Sequence, residues 1–313
     1  MPLDTLQTME TFDTVSLPQT IDQNAGKLAE FVDRHRRLLV LTGAGISTAS
    51  GIPDYRDKDG TRRGRAPVQG PEFRAREAVR KRYWARSMLG WPTLARSQPN
   101  AGHRALAELE AAGRVGSILT QNVDGLHQQA GSNAVIELHG SIHAVLCLEC
   151  GCRISRRQVQ AQLEQANPAL AGVESFASIA GSIPAVRPGP AGVVQALPDG
   201  DAQFEPDAMA TFHVPACLEC GGVLQPDVVF FGDGVPRARQ AQAEQALAEA
   251  DAVLVVGSSL MVLSGYRFCR DAAASGKPVA AINHGLTRAD GLLSLKITDA
   301  AQDVLPALVR QLR

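Results

Sequence analysis

The chain has 313 residues, enough for one large domain or two modest ones, and its hydrophobic content of 45% is ordinary for a globular protein. Its formal charge of −1 argues against a dedicated nucleic-acid-binding protein, and it has no apolar run of about eighteen residues that could span a membrane. The first twenty residues contain acidic but no basic side chains, which is typical of neither a secretory leader nor a transit peptide. We therefore expect a cytoplasmic protein with a disordered N-terminus over about residues 1–20.

The first predicted elements are a helix over Ala25–Arg34 and a buried strand over Leu38–Thr42, which runs into a glycine-rich turn. A strand followed by Gly43-Ala44-Gly45 and a helix start is typical of pyrophosphate binding, because glycine lets backbone N–H groups come close to phosphate. Thr48, however, stands where the dinucleotide fingerprint has its third glycine, and no carboxylate follows a second short strand about twenty residues later. The turn thus predicts a nucleotide site unlike that of an ordinary dehydrogenase.

Helices are predicted over Glu77–Met88 and His103–Ala112, and the next two strands carry polar residues at their carboxyl ends. The strand Val115–Thr120 is followed by Gln121-Asn122-Val123-Asp124, and the strand Val135–Leu138 by His139. A single histidine after a strand is more often structural, but the neighbouring Asn/Asp pair favours a base that takes a proton near neutral pH. Three other histidines are weaker candidates for chemistry or ligand binding, and three more are interpreted as structural or surface residues. The first group is His127, His143 and His284; the second is His35, His103 and His213.

The strand–helix alternation is lost between about residues 141 and 233, where five of the six cysteines lie. Cys147-Leu148-Glu149-Cys150 and Cys217-Leu218-Glu219-Cys220 form two C-x₂-C knuckles, each followed by glycine. Four thiolates from two knuckles predict a closed, structural zinc site, with a redox dithiol as the alternative. Cys152 is interpreted as a bystander, and Cys269 as a packed thiol. The segment 167–200 is rich in Ala, Gly, Pro and Ser, so we expect a flexible loop there.

The alternation resumes near the end of the chain. Pro226–Asp233 is an extended run, either an ordinary core strand or an edge on which an extended peptide could lie. Small polar groups that could hold a ribose or adenine follow two later strands, as Gly257-Ser258-Ser259 and Asn283. The remaining predicted strands are Val253–Val256, Val279–Ile282 and Leu295–Ile297, and the remaining helices are Arg237–Glu249, Tyr266–Ala274 and Val304–Leu312. The pattern predicts an α/β fold with a Rossmann-type parallel sheet and an inserted smaller module.

Taken together, these motifs resemble the sirtuins, a family of NAD-dependent protein deacylases. The resemblance covers about residues 25–310 and rests on GAGIS–GIPDYR, TQNVDGLH, the HG pair, the paired knuckles, VVFFGD, GSS and the late Asn283, all in the family's order. The segments around Arg82–Arg86 and Gly90-Trp91-Pro92, together with Pro226–Asp233, are most similar to the class II branch. The resemblance implies an NAD-binding Rossmann domain over 21–141 and 234–313, with a helical insertion at about 54–100. It also implies a zinc-ribbon and helical small domain over 142–233.

The resemblance further implies the roles of individual residues. His139 would act as a base on a ribose hydroxyl, and Asn122 and Asp124 would assist the chemistry at the nicotinamide ribose. NAD would be held by Gly43, Ala44, Gly45, Ser47, Asp54, Tyr55, Arg56, Gln121, Asn122, Asp124, Gly257, Ser258, Ser259, Asn283 and Ala301. The structural zinc would be bound by Cys147, Cys150, Cys217 and Cys220, and an acyl-lysine tunnel would be lined by Val229, Phe231 and Gly232.

The implied reaction releases nicotinamide from NAD and transfers the acyl group of a protein lysine to ADP-ribose. Mono-ADP-ribosyl transfer to protein is the alternative on the same fold, and a zinc-ribbon interaction module on a nucleotide-sensing domain is a non-enzymatic one. The expected partners are acyl-lysine proteins, with no membrane and no sequence-specific nucleic acid, and the oligomeric state does not follow from the sequence. The Tyr-x-x-Arg pair typical of succinyl- and malonyl-preferring relatives is not evident between Asp57 and Phe73, so a short dicarboxylic acyl group is less favoured.

Overall fold

The computed structural model describes residues 20–62, 67–171 and 211–313, together with the backbone of three two-residue strands between them. No helix within these described residues is both long and apolar enough to cross a membrane. The predicted disordered N-terminus lies outside the described residues except for Thr20. Most of the predicted flexible loop at 167–200 also lies outside them.

The larger sheet has six parallel strands: β1 (Leu38–Thr42), β2 (Val115–Thr120), β3 (Val135–Glu137), β10 (Ala252–Val256), β11 (Val279–Ile282) and β12 (Leu293–Ile297). Across the sheet they lie in the order β12-β11-β10-β1-β2-β3. When these six strands are counted 1 to 6 along the chain, their order across the sheet is 6-5-4-1-2-3. This is the strand order of the Rossmann fold. The predicted α/β fold is therefore confirmed.

Helices cover both faces of this sheet, so the central strands β1 and β10 are buried along their whole length. One face packs against α1 (Ile21–Arg34), α4 (Ala101–Ala111) and α10 (Ala301–Leu312). The other packs against α8 (Arg237–Glu249) and α9 (Leu263–Ala274). Alternate side chains of each strand supply the two cores, as Leu38 and Val40 do on one face and Leu39 and Leu41 on the other.

A second, antiparallel sheet has the order β5-β4-β9, formed by β4 (Gly140–Cys147), β5 (Arg153–Ser155) and β9 (Leu224–Val228). Its core includes α6 (Arg156–Ala166) and also α2 (Gly70–Ala75) and α3 (Glu77–Arg96), which come from the predicted helical insertion. Two short helices complete the described helices, α5 (Leu126–Gln129) and α7 (Pro168–Ala171). The backbone of β6 (Ser175–Phe176), β7 (Ala185–Val186) and β8 (Val194–Gln195) forms a small antiparallel sheet.

Several element boundaries differ from the sequence prediction. Helix α1 begins four residues earlier than expected, at Ile21, because Thr20 and Gln23 form a capping box. No α-helix follows Gly43 directly: among the described residues the next one is α2, and only two 3₁₀ turns lie at Ala44–Ile46 and Thr48–Ser50. The region from 141 onward, where the alternation was expected to fail, contains β4, β5 and α6, and α7 occupies the start of the expected loop.

Helix α3 continues through Pro92 to Arg96 instead of ending near Met88 as predicted. Pro92 has no N–H and cannot bond the carbonyl of Met88 four residues earlier. Gln160 of α6 satisfies that carbonyl through its Nε2 at 2.9 Å, and Arg156 Nη2 donates to the carbonyl of Ser87 at 3.1 Å. Contacts from a distant helix thus sustain a segment whose local sequence predicts a break.

Candidate active site

The candidate site lies where the order of the parallel strands reverses, between β1 and β10. Their last residues, Thr42 and Val256, are paired, and the loops that follow them cross in close contact. Gly43 N–H donates to the carbonyl of Val256 at 3.1 Å, and Gly45 N–H donates to that of Gly257 at 2.8 Å. A Cβ on Gly45 would lie 2.8 Å from the Gly257 Cα, so glycine is required for this approach. In an open α/β sheet, such a switch point is where ligands bind.

A cavity of about 840 Å³ opens at this switch point. It is large enough for a cofactor-sized ligand. All residues predicted to be catalytic, NAD-binding or acyl-lysine-binding line this one cavity, although they come from strand ends far apart in the sequence. These residues are Gly43, Ala44, Gly45, Ser47, Asp54, Tyr55, Arg56, Gln121, Asn122, Asp124, His139, Val229, Phe231, Gly232, Gly257, Ser258, Ser259, Asn283 and Ala301.

His139 lies between β3 and β4 and is held at both ring nitrogens. Its Nδ1 lies 2.9 Å from the carbonyl oxygen of Gln121, which only accepts, so Nδ1 carries the proton. Nε2 is then the acceptor, and Ser264 Oγ donates to it at 2.8 Å. Burial is the main cause that lowers the pKa of His139, and Arg239 lowers it further against the opposing hydrogen bond to Gln121. The ring is therefore a neutral imidazole whose basic nitrogen is Nε2.

Asn122 and Asp124 are joined through the hydroxyl of Ser47. Ser47 Oγ donates to Asp124 Oδ2 at 2.7 Å, and Asn122 Nδ2 donates both to Ser47 Oγ and to the carbonyl of Gly43, each at 3.1 Å. The second carboxylate oxygen of Asp124 accepts from the Leu126 N–H at 3.0 Å. Burial raises the pKa of Asp124, while these hydrogen bonds oppose the rise. The network fixes the glycine-rich turn to the end of β2.

Two fully buried histidines lie behind this network. His103, interpreted from the sequence as structural or surface, has its Nε2 3.5 Å from Ser47 Oγ, and its ring lies 4.9 Å from that of His127. The Nε2 of His127 is 2.9 Å from Thr42 Oγ1. Burial lowers the pKa of His103 to about 4 and that of His127 to about 3, so both are neutral near pH 7. Neither histidine lines the cavity, but they contact Ser47, which does line it, and the neighbouring Thr42.

The other two histidines that were weaker candidates lie in different places. His143 is outside the cavity lining, and its Nε2 donates to the backbone carbonyl of Asp124 at 2.8 Å. His284 lines the cavity, next to the predicted Asn283.

The N-terminal turn of α9 is part of the site, although sequence reasoning missed it. The predicted helix began at Tyr266, three residues after its observed start at Leu263. Ser264 of this turn is the residue that bonds His139. The next residue, Gly265, packs so tightly against Gln121 that a Cβ on the glycine would collide with the Gln121 Nε2. A glycine at the start of a helix, just after the Gly-Ser-Ser turn, was the available signal of a close approach.

The cavity also has cationic groups suited to a pyrophosphate, since Arg56, Lys58 and Arg62 all line it. Arg56 Nη1 donates to the carbonyl of Gly60 at 2.8 Å, which folds this loop back on itself. The Arg62 guanidinium lies 5.2 Å from the centre of the Phe231 ring. Together with the hydroxyl of Ser259, which also lines the cavity, these groups are donors of the kind that phosphate oxygens accept.

The four knuckle cysteines meet at one point outside the cavity. The Sγ atoms of Cys147, Cys150, Cys217 and Cys220 all lie within 4.8 Å of one another. The Cys147–Cys220 separation is 3.4 Å and the Cys150–Cys217 separation is 3.8 Å. Zn–S bonds of about 2.3 Å in a tetrahedron place sulfurs about 3.8 Å apart, so the cluster fits a structural zinc ion. Cys152 lies 3.4 Å from Cys217 but is outside the set of four.

Comparison with known proteins agrees with this geometry. A family model described as "Sir2 family" matches residues 43–264. The chain belongs to the Sir2 family. An "NAD-dependent protein deacetylase" of Xanthomonas axonopodis pv. citri (strain 306) is 52% identical over 281 residues, covering 90% of this chain and 89% of the relative.

Solved structures of Sir2 proteins share the fold. One described as "Structural Basis for the Mechanism and Regulation of Sir2 Enzymes" is 29% identical with a TM-score of 0.69, covering 93% of this chain and 100% of the other. Another, "Sir2 bound to acetylated peptide", is 25% identical with a TM-score of 0.67 and coverages of 91% and 97%. The predicted sirtuin membership is confirmed, whereas the finer likeness to the class II branch stays a prediction.

Proposed function

We propose that this Sir2 protein is an NAD-dependent protein-lysine deacylase of the deacetylase type, which transfers the acyl group of a lysine to ADP-ribose and releases nicotinamide. The observation that carries the proposal is a neutral His139, with Nε2 as its basic atom, in a cavity that also holds the glycine-rich turn and the Asn122–Ser47–Asp124 network. Relatives named as deacetylases and a Sir2 structure with an acetylated peptide support the same activity. Mono-ADP-ribosyl transfer has no comparable support.

NAD, when bound, supplies the ADP-ribosyl group that accepts the acyl group. The glycine-rich turn and Arg56 would hold its pyrophosphate, and Ser258, Ser259 and Asn283 its adenosine half. His139 would take a proton from a ribose hydroxyl at Nε2, which a neutral imidazole can do near pH 7. Val229 and Phe231, which line the same cavity, would contact the acyl-lysine of the protein substrate.

The amide of Asn122 would hold the turn in place, because it bonds the carbonyl of Gly43 as well as Ser47. Asp124, whose carboxylate accepts from Ser47 and from the Leu126 N–H, would help to orient the nicotinamide ribose through this network. We further propose that 21–141 with 234–313 forms the NAD-binding domain and 142–233 the zinc-binding domain. We also propose that the protein is cytoplasmic and belongs to the class II branch. We expect it to have no sequence-specific nucleic acid partner.

The deciding experiment incubates the full chain with NAD and a panel of acyl-lysine peptides, read by mass spectrometry. We expect deacylated peptide, nicotinamide and O-acyl-ADP-ribose in equal amounts. His139→Gln should lower turnover by about 10²–10⁴, the usual contribution of a general base. His35→Gln is the matched control, since His35 ends α1 and lies outside the cavity lining. Nicotinamide release without deacylation of any peptide would overturn the proposal.

A further inference from the structure

The proposed base has a hydrogen-bond partner that the predicted site residues do not include. Ser264 Oγ lies 2.8 Å from Nε2 of His139, and Ser264 lines the cavity. Since Nδ1–H is bonded to the carbonyl of Gln121, Ser264 contacts the very nitrogen that would receive a proton.

The position of Ser264 is fixed by the packing of α9. The next residue, Gly265, lies against the side chain of Gln121, whose Oε1 accepts from Ser258 Oγ at 2.7 Å. Gln121 therefore contacts α9 through its side chain and His139 through its carbonyl. The helix turn that carries the hydroxyl and the peptide that orients the imidazole are thus held together.

A hydroxyl differs from a carbonyl because it can both donate and accept. While the imidazole is neutral, Ser264 Oγ–H donates to the Nε2 lone pair. Nε2 has a single lone pair, so the Ser264 O–H rotates off it when a substrate hydroxyl binds there. As the proton transfers, the N–H bond forms, the substrate O–H bond breaks, and the electron pair stays on the substrate oxygen. The rotated Ser264 hydroxyl then accepts from Nε2–H beside the substrate oxygen, with no bond made or broken at serine. Hydrogen bonds to a charged group are about twice as strong as neutral ones, so the second arrangement is the stronger.

We propose that Ser264 is a positioning residue for His139: it holds the Nε2 edge of the neutral imidazole toward the cavity, and it stabilises the imidazolium after proton transfer. The inference rests on the proposed deacylase function for the identity of the proton donor. The hydrogen bond itself is independent of that function.

The charged groups around His139 bear on any test by titration. Arg239 of α8 is the cation that acts on the ring, and its Nη2 is paired with Asp227 Oδ1 of β9 at 2.6 Å. Glu137, two residues before His139, is hydrogen-bonded to Gln128. These partners stay unchanged when Ser264 is replaced, so the serine effect can be isolated.

The experiment compares Ser264→Ala and Ser264→Thr with the parent chain. Ser275→Ala is the matched control, because Ser275 lies at the other end of α9 and donates to the Asp271 carbonyl. NMR titration of histidine-labelled protein without substrate, with His139→Gln to assign the signal, measures the His139 pKa. In Ser264→Ala we expect this pKa to fall further, by about half a unit to one unit, because the stronger bond to the charged form is lost. We expect kcat to fall about tenfold with little change in KM.

The threonine variant keeps a hydroxyl and should restore both the His139 titration and kcat. An unchanged His139 pKa in Ser264→Ala, or an equal loss of kcat in the alanine and threonine variants, would overturn the proposal. If the pKa falls as expected while no peptide in the acyl panel is deacylated, the Ser264–His139 coupling stands and the proposed function fails. The two inferences can therefore be told apart.

Discussion

The surroundings of His139 determine at which pH it can act as a base. Burial and the charge of Arg239 both lower the pKa of its imidazole. Only the neutral form can take a proton, so we expect kcat/KM to stay high as pH falls through the usual imidazole range, and to decline only at more acidic pH. The measurement is a profile of kcat/KM against pH, which reports the free enzyme.

Arg239→Gln provides the matched variant for this profile. It removes the cation that disfavours the imidazolium, so its acid limb should move to higher pH than that of the parent chain. Asp227 keeps Arg153 as a partner at 3.1 Å, which limits the structural effect of the change. A parent limb at or above the usual histidine range, or a variant limb shifted to lower pH, would contradict this account.

Because His127 is buried in its neutral form, we expect the protein to lose stability in mild acid. Its pKa is lowered to about 3 by burial and by His103, so the unfolded chain binds a proton below about pH 6.5 that the folded chain does not. Stability is therefore fully present above the unfolded pKa and is lost as pH falls toward the folded one. From pH 7 to pH 5 His127 alone contributes a loss of about 2 kcal/mol, and His103, whose pKa is lowered to about 4, acts in the same direction. We expect urea unfolding to show this loss in the free energy of unfolding.

His127→Gln isolates the effect, because glutamine cannot titrate but can still donate to Thr42. Its free energy of unfolding should fall by about 2 kcal/mol less than that of the parent chain between pH 7 and pH 5. The raised pKa of Asp124 acts in the opposite direction and is common to both chains. Parallel pH dependences for the two proteins would exclude His127 as the cause.

At the scale of elements, the α3–α6 contact depends on one buried guanidinium. Arg156 is fully buried, and its guanidinium carbon lies 5.3 Å from the ring centre of Trp84 and 4.9 Å from that of Trp91. It also donates to Gln160 Oε1 at 2.8 Å. Burial lowers its pKa only to about 10, so it stays charged near pH 7. The guanidinium thus lies over two aromatic rings, within the distance of a cation–π interaction, and also bonds the carbonyl of Ser87.

We predict that Arg156→Lys costs about 1–3 kcal/mol in the free energy of unfolding, since an ammonium cannot stack or bond in this fork geometry. Arg157→Lys is the internal control, because the neighbouring Arg157 is exposed and should change stability by less than about 0.5 kcal/mol. Urea unfolding of both variants tests the difference. Equal stabilities of the two variants would mean that the guanidinium of Arg156 contributes nothing that an ammonium at the same position does not.

Elements were predictable from sequence where local pattern and tertiary environment agree. The apolar strands Leu38–Thr42 and Val279–Ile282 were predicted to the residue, because strands buried on both faces are continuous apolar runs. The prediction for α3 ended too early because the donors that satisfy the carbonyls before Pro92 come from α6, which no local pattern reveals. Strand β4 was missed because it lies in a region that was interpreted through its cysteines.

The candidate site was predictable at strand ends and less so elsewhere. The glycines were expected to make room for phosphate, whereas Cβ atoms on Gly43 or Gly45 would meet the Gly257–Ser258 loop. These glycines thus serve loop crossing in the protein itself. Ser264 was missed because the predicted helix began after it, and its partner, His139, is distant in sequence.

At the scale of the whole molecule, the chain passes between its two sheets at His139. Strand β3 of the parallel sheet ends at Glu137, β4 of the antiparallel sheet begins at Gly140, and the His139 carbonyl accepts from Val229 N–H at 2.8 Å. Gly140 has a φ of 83°, and a Cβ there would collide with the Asp227 backbone. Backbone contacts to both sheets therefore fix the position of His139. We expect that loosening either sheet would displace the imidazole and lower turnover.

A variant of the zinc cluster can show how far the stability of the antiparallel module depends on its metal. Cys147 and Cys217 are buried in the same core as Trp84 and Phe230, so the ligands are also packing residues. A filled tetrahedral thiolate site leaves no position for water, and its binding free energy contributes to folding. We predict that Cys147→Ser loses zinc and lowers the melting temperature by several degrees or more, read by elemental analysis and thermal unfolding.

Cys269→Ala is the matched control, because Cys269 is buried in α9 and outside the cluster, and it should retain zinc at one ion per chain. Loss of zinc from Cys147→Ser with an unchanged melting temperature would refute the structural role. If the metal holds β4 in place, the same variant should also lose turnover, although zinc lies outside the cavity. That loss should follow zinc content, because β4 begins directly after His139 and carries the disturbance to the base.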